Sequence, residues 1–338
     1  MVFTEDKINQ LNELLKEAKQ VVITAHKSPD GDSIGSSLAL YHYLKEVYKG
    51  ELHICHPDAA PKFLHWMNGT DEILSFENNI DEVKAHLSAA DLIFCLDFNS
   101  FGRVGNEMQP FLLSAPGKKV MIDHHLNPEE EGFEIVFSDT SSCSTAQLIY
   151  ELIEANADQD KITKACGEAI YTGIMTDTGS FRFSSTTSKT HRIVADLLEL
   201  GIENNKIHEN TFDNNSVNRL QLHGYAISNN LEILPEYKTA IIYLTKEDLE
   251  RFHYEKGDTE GLVNTVLSIE GIRKSIFLKE SDGIIKISFR SIGEDNPVNT
   301  LASTYFHGGG HKNAAGGRYT KDLKGAIEKL KTVLPEFC

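Results

Sequence analysis

Five short apolar runs punctuate the first half of the chain: VVITA (21–25), LHIC (52–55), LIFCL (92–96), KVMI (119–122) and FEIVF (133–137). Between the first two lies SIGSSLALYHYLKEV, a helical pattern. A strand that is apolar along its whole length must be covered on both faces, and strands joined through helices run parallel. This half is therefore expected to be α/β, a doubly wound parallel sheet. Two more helices are expected near 143–156 and 162–175.

The 338 residues exceed what a single core usually holds, so two domains are expected. Residues 188–228 read as helical and polar, with the asparagine-rich stretches IENN and FDNNSVN. From 231 the texture changes. TAIIYLT, SIFLKE and GIIKISFR read as strands, with ESDG as a hairpin turn. Helices are expected over 246–252, 260–266, 297–305 and 322–333. The expected division is a domain over 1–190, a helical connector over 191–228, and a smaller mixed-sheet α/β domain over 229–338. A glycine-rich loop, HGGGHKNAAGG (307–317), sits in the last.

Thirty-three basic and 50 acidic side chains give a net charge of −17. Such a surface argues against gripping long duplex nucleic acid through its phosphates. It leaves room for a small anionic substrate, because bound cations invert the local sign of a site. No apolar run approaches the ~18 residues of a membrane span. The N-terminus is an amphipathic helix pattern, with Ile8, Leu11, Leu14 and Leu15 on one side, and lacks the shape of a signal peptide. It is expected to pack on its own domain. Cys55, Cys95, Cys143, Cys166 and Cys338 are scattered and never in CxxC spacing. A disulfide framework is not expected, and a reducing cytoplasm fits this usage.

Acidic and imidazole groups stand at the ends of the apolar runs. VVITA leads into His26, Asp30 and Asp32, LIFCL into Asp97, and KVMI into Asp123, His124 and His125. In an open parallel sheet the crevice beyond the strands' carboxyl ends is where ligands bind. A fourth cluster, GIMTDTGSF, puts Asp177 at the end of an apolar helix. Taken singly, each has a structural explanation: Asp32 would cap a helix starting near Ser33, and Asp123 would anchor a loop. Taken together, four such clusters point to a two-metal site. His26, Asp30, Asp32, Asp97, His124 and Asp177 supply four carboxylates and two imidazoles, enough for two divalent cations with positions left for water and substrate. Two imidazoles favour Mn²⁺, with Mg²⁺ or Co²⁺ as the other choices.

HKSPDGDSIGS, LDFNS, IDHH and TDTGSF resemble, in order, the four motifs of the DHH phosphoesterase family, which takes its name from the tripeptide found here at 123–125. FRS (289–291) and GGGHKNAAGG (308–317) resemble that family's C-terminal associated domain. The resemblance covers nearly the whole chain. It implies one cation on His26, Asp30 and Asp97, and another on Asp32, Asp97, His124 and Asp177, with Asp97 bridging. It implies that Asp123 orients a histidine and that His125 faces the substrate, as phosphate contact or general acid. On the residues alone, GGGH is equally a tight turn or a phosphate cradle; the resemblance favours the cradle. Arg290, Ser291, Gly308, Gly309, Gly310 and His311 are then substrate contacts. Arg103 is a further phosphate contact or a solvated loop arginine. The same resemblance puts the active site in a cleft between the two domains.

Within that family, 338 residues leave no room for the extra oligonucleotide-binding domain of long-DNA exonucleases. The transmembrane and sensory segments of the membrane-bound cyclic-dinucleotide enzymes are also missing. GGGH differs from the anion site of the pyrophosphatases. The remaining branch hydrolyses short single-stranded oligoribonucleotides to nucleoside 5′-monophosphates, and 3′-phosphoadenosine 5′-phosphate to AMP. The alternatives are a linear or cyclic dinucleotide phosphodiesterase and, from another class, a nucleotide-binding regulatory protein with a vestigial site. A homodimer is the assembly to test.

Overall fold

In a computed structural model that describes residues 2–281, 283–293 and 295–337, the chain forms two compact units, one ending at Asn214 and the other starting at Asn215. The boundary falls inside the polar 188–228 stretch. No helix among the described residues is long and apolar enough to cross a membrane.

The first unit has six strands: β1 (Gln20–Thr24), β2 (Glu51–His56), β3 (Ile73–Ser75), β4 (Leu92–Leu96), β5 (Lys118–Asp123) and β6 (Ile135–Ser138). They lie in the order β3-β2-β1-β4-β5-β6, every pair parallel. Its helices are α1 (Glu5–Glu17), α2 (Gly31–Val47), α3 (Ile80–Ala89), α4 (Gly105–Ser114), α5 (Thr145–Ala155), α6 (Lys164–Asp177), α7 (Ser188–Glu199) and α8 (Asn204–Phe212). The parallel sheet is the one expected from the apolar runs. Short β3 and the helices α3 and α4 escape notice in the sequence because none has a long apolar stripe; each buries two or fewer hydrophobic side chains. Helix α1 buries Ile8 and Leu11 in the unit's own core, with Leu14 and Leu15 packed against it.

Helix α2 is buried nearly all round, including its serines. Asp30, not Asp32, is its N-cap: the Asp30 carboxylate accepts from the backbone N–H groups of Asp32 and Ser33, and the Ser33 hydroxyl completes a capping box. The helix therefore starts two residues earlier than the sequence suggests. Asp32 is freed from capping and turns into the interior, 1% exposed.

Helices α2 and α6 touch through glycines. A Cβ on Gly35 would stand 2.7 Å from the Ala169 carbonyl oxygen and 2.8 Å from the Gly173 nitrogen. A Cβ on Gly173 would collide with Ala146 and stand 2.8 Å from Asp32 Oδ1. Gly173→Ala is expected to cost about 1–3 kcal/mol, the usual range for overpacking a tight core. It should also weaken cation affinity by shifting Asp32. An unchanged melting temperature and affinity would contradict this packing.

The second unit has helices α9 (Val217–Asn229), α10 (Lys246–Arg251), α11 (Leu262–Leu267), α12 (Val298–Tyr305) and α13 (Leu323–Val333). Its strands are β7 (Leu231–Leu234), β8 (Thr239–Leu244), β9 (Lys274–Ser281), β10 (Ile284–Ser291), β11 (Gly309–His311) and β12 (Ala314–Tyr319), in the order β11-β12-β10-β9-β8-β7. Only β8 and β9 run parallel; every other pair is antiparallel. Hairpin β9–β10 is the one signalled by ESDG, whose Asp282 lies outside the described residues. The glycine-rich segment expected as a loop is instead largely hairpin β11–β12. Glycine is what permits the pairing: a Cβ on Gly308 would strike the Gly316 carbonyl, and one on Gly310, at φ +137°, would lie 2.6 Å from the Ala314 carbonyl oxygen.

Candidate metal centre

The centre is assembled beyond the carboxyl ends of β1, β4 and β5, neighbours in the middle of the parallel sheet. His26 follows β1, Asp97 follows β4, Asp123 ends β5 and His124 comes next. Helices α2 and α6 add Asp30 and Asp32 at one start and Asp177 at one end. The parallel register brings these positions together although up to 151 residues separate them in sequence.

Asp97 sits at the middle. It is 2% exposed and adopts a left-handed backbone, φ +61°, a conformation costly for a non-glycine residue. Its two oxygens face different imidazoles. Oδ2 lies 3.3 Å from His26 Nε2, and Oδ1 lies 3.5 Å from His124 Nε2. Around His26, Asp30 Oδ2 is at 3.7 Å. Around His124, Asp177 Oδ2 is at 3.4 Å and Asp32 Oδ2 at 3.7 Å. Ligating atoms of His26, Asp30 and Asp97 lie within 4.8 Å of one another, as do those of Asp32, His124 and Asp177. The structure thus brings together all six residues singled out as ligands.

The electrostatics fit divalent cations. His26 Nδ1 donates to the Lys27 carbonyl at 2.9 Å, which leaves Nε2 with its lone pair toward Asp97. Burial lowers the His26 pKa and keeps the ring neutral, despite the pull of Asp30. A neutral imidazole nitrogen facing a carboxylate oxygen suits either a proton or a cation between them. Burial, reinforced by Asp177, pushes Asp32 up to about 7. Burial, with repulsion from Asp32, Asp30 and Asp177, pushes Asp97 well above the carboxylate range. Burial depresses His124 less than Asp177, Asp32 and Asp123 raise it, so its pKa is raised. Raised carboxylate pKa values of this kind are what a cluster that could exchange protons for cations shows.

Asp123 is fully buried and holds His125 through two hydrogen bonds. His125 Nδ1 donates to Asp123 Oδ1 at 2.7 Å, and the His125 backbone N–H donates to Oδ2 at 3.1 Å. The tie orients His125 with Nε2 as its remaining ring nitrogen. Burial lowers the His125 pKa against the pull of Asp123. The charge of Arg103 reaches both His26 and His125, lowering each. Its backbone carbonyl accepts from the Lys27 N–H at 2.8 Å, tying the loop after β4 to the loop after β1.

Two contributors were not visible in the sequence. Thr145, at the start of α5, donates its hydroxyl to Asp97 Oδ1 at 3.0 Å. The Thr145 and Ala146 backbone N–H groups donate to the two Asp32 oxygens at 2.6 and 2.9 Å. A helix N-terminus stabilises a carboxylate in this way. Ser144 preceding a helical run marks that N-terminus, but nothing in the sequence says which carboxylate it faces.

In the second unit the predicted contacts gather at one end of the mixed sheet. Arg290 on β10 and His311 on β11 both flank Ala314 of β12 in register, so they share a row and a face. The Ser291 hydroxyl is taken up locally, donating to the Asn296 carbonyl at 2.5 Å and accepting from Asn313 Nδ2. Gly308 and Gly310 abut the backbone of 314–316, whereas beside Gly309 there is open space.

Residues 20–174 match the family model described as the DHH family, N-terminal domain, and residues 237–338 match the DHHA1 domain. The bifunctional oligoribonuclease and PAP phosphatase NrnA of Bacillus subtilis is 31% identical over 299 residues, spanning 88% of each chain. The cyclic-di-AMP phosphodiesterase PdeA of Listeria monocytogenes is 27% identical over 90% of this chain but only 46% of its own. Among solved structures, an exopolyphosphatase-related protein from Bacteroides fragilis is 39% identical, with a TM-score of 0.92 over 99% of this chain and 97% of that one. Both domain models match, in order along one chain, and the chain belongs to the DHH family, its DHH domain followed by a DHHA1 domain.

Proposed function

We propose that the protein is a two-cation phosphoesterase. It hydrolyses short oligoribonucleotides to nucleoside 5′-monophosphates and 3′-phosphoadenosine 5′-phosphate to AMP. The observation that carries this reading is Asp97, whose two oxygens face the Nε2 atoms of two histidines arriving from different strands. The named activity of the Bacillus subtilis relative, which aligns with 88% of this chain, supports the choice of substrates.

His26, Asp30 and Asp97 would hold one cation, and Asp32, Asp97, His124 and Asp177 the other, with Mn²⁺ the favoured ion. Bound there, the pair supplies positive charge to the phosphoryl oxygens and makes a water nucleophilic at neutral pH. Thr145 and the start of α5 keep Asp97 and Asp32 in place, so little rearrangement is needed when substrate arrives. His125 holds or moves a proton at Nε2, and Asp123 stabilises the imidazolium that forms. Arg103 would contact the phosphate, a role that its charge acting on both His26 and His125 supports. Arg290 and His311, with the backbone at Gly308, Gly309 and Gly310, are proposed as further substrate contacts, and Ser291 bonds to the neighbouring Asn296 and Asn313. The cytoplasm suits buried free thiols at Cys55, Cys95, Cys143 and Cys166.

The test is a product assay with Mn²⁺ on di- to pentaribonucleotides, a long RNA, 3′-phosphoadenosine 5′-phosphate, a cyclic dinucleotide and pyrophosphate. Mononucleotides from short RNA and AMP from the bisphosphate are expected. Both should disappear with chelator and return with Mn²⁺. Cleavage of pyrophosphate alone, or of the cyclic dinucleotide alone, would overturn the substrate choice.

A further inference from the structure

The segment after Asp177, Thr178–Gly179–Ser180–Phe181–Arg182–Phe183, supplies none of the clustered metal-ligating groups among the described residues. Its backbone is unusual. Gly179, Ser180 and Phe181 are all left-handed, at φ +56°, +62° and +65°. Two consecutive non-glycine residues in that region are strained and persist only where their surroundings fix them.

The surroundings do fix them. Thr178 is fully buried, and its hydroxyl accepts from the Phe181 N–H at 2.9 Å. Its carbonyl accepts from the N–H groups of both Arg182 and Phe183 at 3.0 Å. The Ser180 N–H reaches back to the Met175 carbonyl at 2.7 Å. The Phe181 ring turns inward, with its centroid 5.6 Å from that of Tyr171 and 5.9 Å from that of His191. The chain is thus folded back so tightly that the Phe183 nitrogen bonds the carbonyl of the residue next to Asp177.

Phe183 points the other way and is 40% exposed. One side of its ring is closed by Gly179, where any Cβ would strike three ring carbons. Arg182 is tied by its Nε to the Gly179 carbonyl at 2.7 Å. The apolar surface that Phe183 leaves in water has an unfavourable hydration free energy, and it stands at the end of a strained segment pinned by its own hydrogen bonds.

We infer that Phe183, six residues beyond Asp177 in the chain, is a stacking platform for a nucleobase of the substrate. Every base has a π-face, so the platform raises affinity for nucleotides without selecting sequence, and its rigidity lowers the ordering cost of binding. The inference rests on the phosphoesterase reading and adds a contact to the base, where the metal centre sees only phosphate.

The experiment compares wild type, Phe183→Leu and Phe183→Trp on two substrates with Mn²⁺: a 5′-phosphorylated diadenylate and the same molecule with abasic riboses. Loss of one stacked base corresponds to roughly a 5- to 150-fold effect. On the diadenylate, Phe183→Leu is expected to raise KM within that range with little change in kcat, and Phe183→Trp to restore it. On the abasic analogue the three proteins should be alike. Equal losses on both substrates, or no loss on either at an unchanged melting temperature, would overturn the platform and leave the phosphoesterase reading standing. No turnover of the diadenylate by wild type would overturn both.

Discussion

Asp97→Asn is expected to lower kcat/KM by about a thousandfold or more, the scale of several kcal/mol of charge stabilisation lost from a two-cation site. The substitution is nearly isosteric, so its effect is chemical. A carboxylate offers an acceptor oxygen to each side. An amide offers one oxygen and an NH₂ group, which is a donor and repels a cation. The Thr145 hydroxyl can still donate to the remaining oxygen, so local geometry should survive. The variant should also melt at a higher temperature than wild type in chelator. Asp97 is 2% exposed, and its burial together with Asp32, Asp30 and Asp177 disfavours its charge; asparagine has no charge to disfavour. Full activity of the variant, or a lower melting temperature in chelator, would contradict this account.

The second large effect concerns pH. The Asp32 pKa, raised to about 7 mainly by burial and then by Asp177, lies above its unfolded value of roughly 3.9. Its contribution to stability is therefore complete below about pH 4 and lost as pH climbs toward 7, because the unfolded chain ionises first. A shift of this size corresponds to about 4 kcal/mol at 1.36 kcal/mol per pKa unit. His26 and His125, held low by burial, act in the opposite sense, losing stability as pH falls. The comparison that reads Asp32, together with its pull on Asp97 and His124, is thus wild type against Asp32→Asn, both in chelator, from pH 4 to 7.5. The variant should gain relative to wild type as pH rises. Cation binding near pH 6.5 should release protons, seen as a binding heat that depends on the buffer's ionisation enthalpy. A flat difference between the two proteins and a buffer-independent heat would contradict the raised pKa.

Much of this was legible in the sequence. Strands such as LIFCL announce themselves because a fully covered strand can be nothing but apolar. Acidic and imidazole residues at their carboxyl ends then share one edge by topology alone. His26, Asp30, Asp32, Asp97 and His124 converge for that reason, and Asp177 joins them from the end of helix α6. What was not legible depends on where separate elements meet. Asp32 fits a helix cap as well as Asp30 does, and only the capping box at Ser33 decides between them. Asp123 could serve either histidine, and the structure bonds it to His125. Thr145 reaches Asp97 across 48 residues of sequence. The segment 307–317 reads as a loop because glycine signals turns, yet here the glycines allow two backbones to pair.

The central claim is that Asp97 joins two cations in one centre. Its most direct test is electron paramagnetic resonance of the protein titrated with Mn²⁺. Wild type should take up two ions per chain and show a spectrum of two exchange-coupled ions. Asp97→Asn should lose that coupling. A single bound ion in wild type, or two ions with no coupling between them, would contradict the claim.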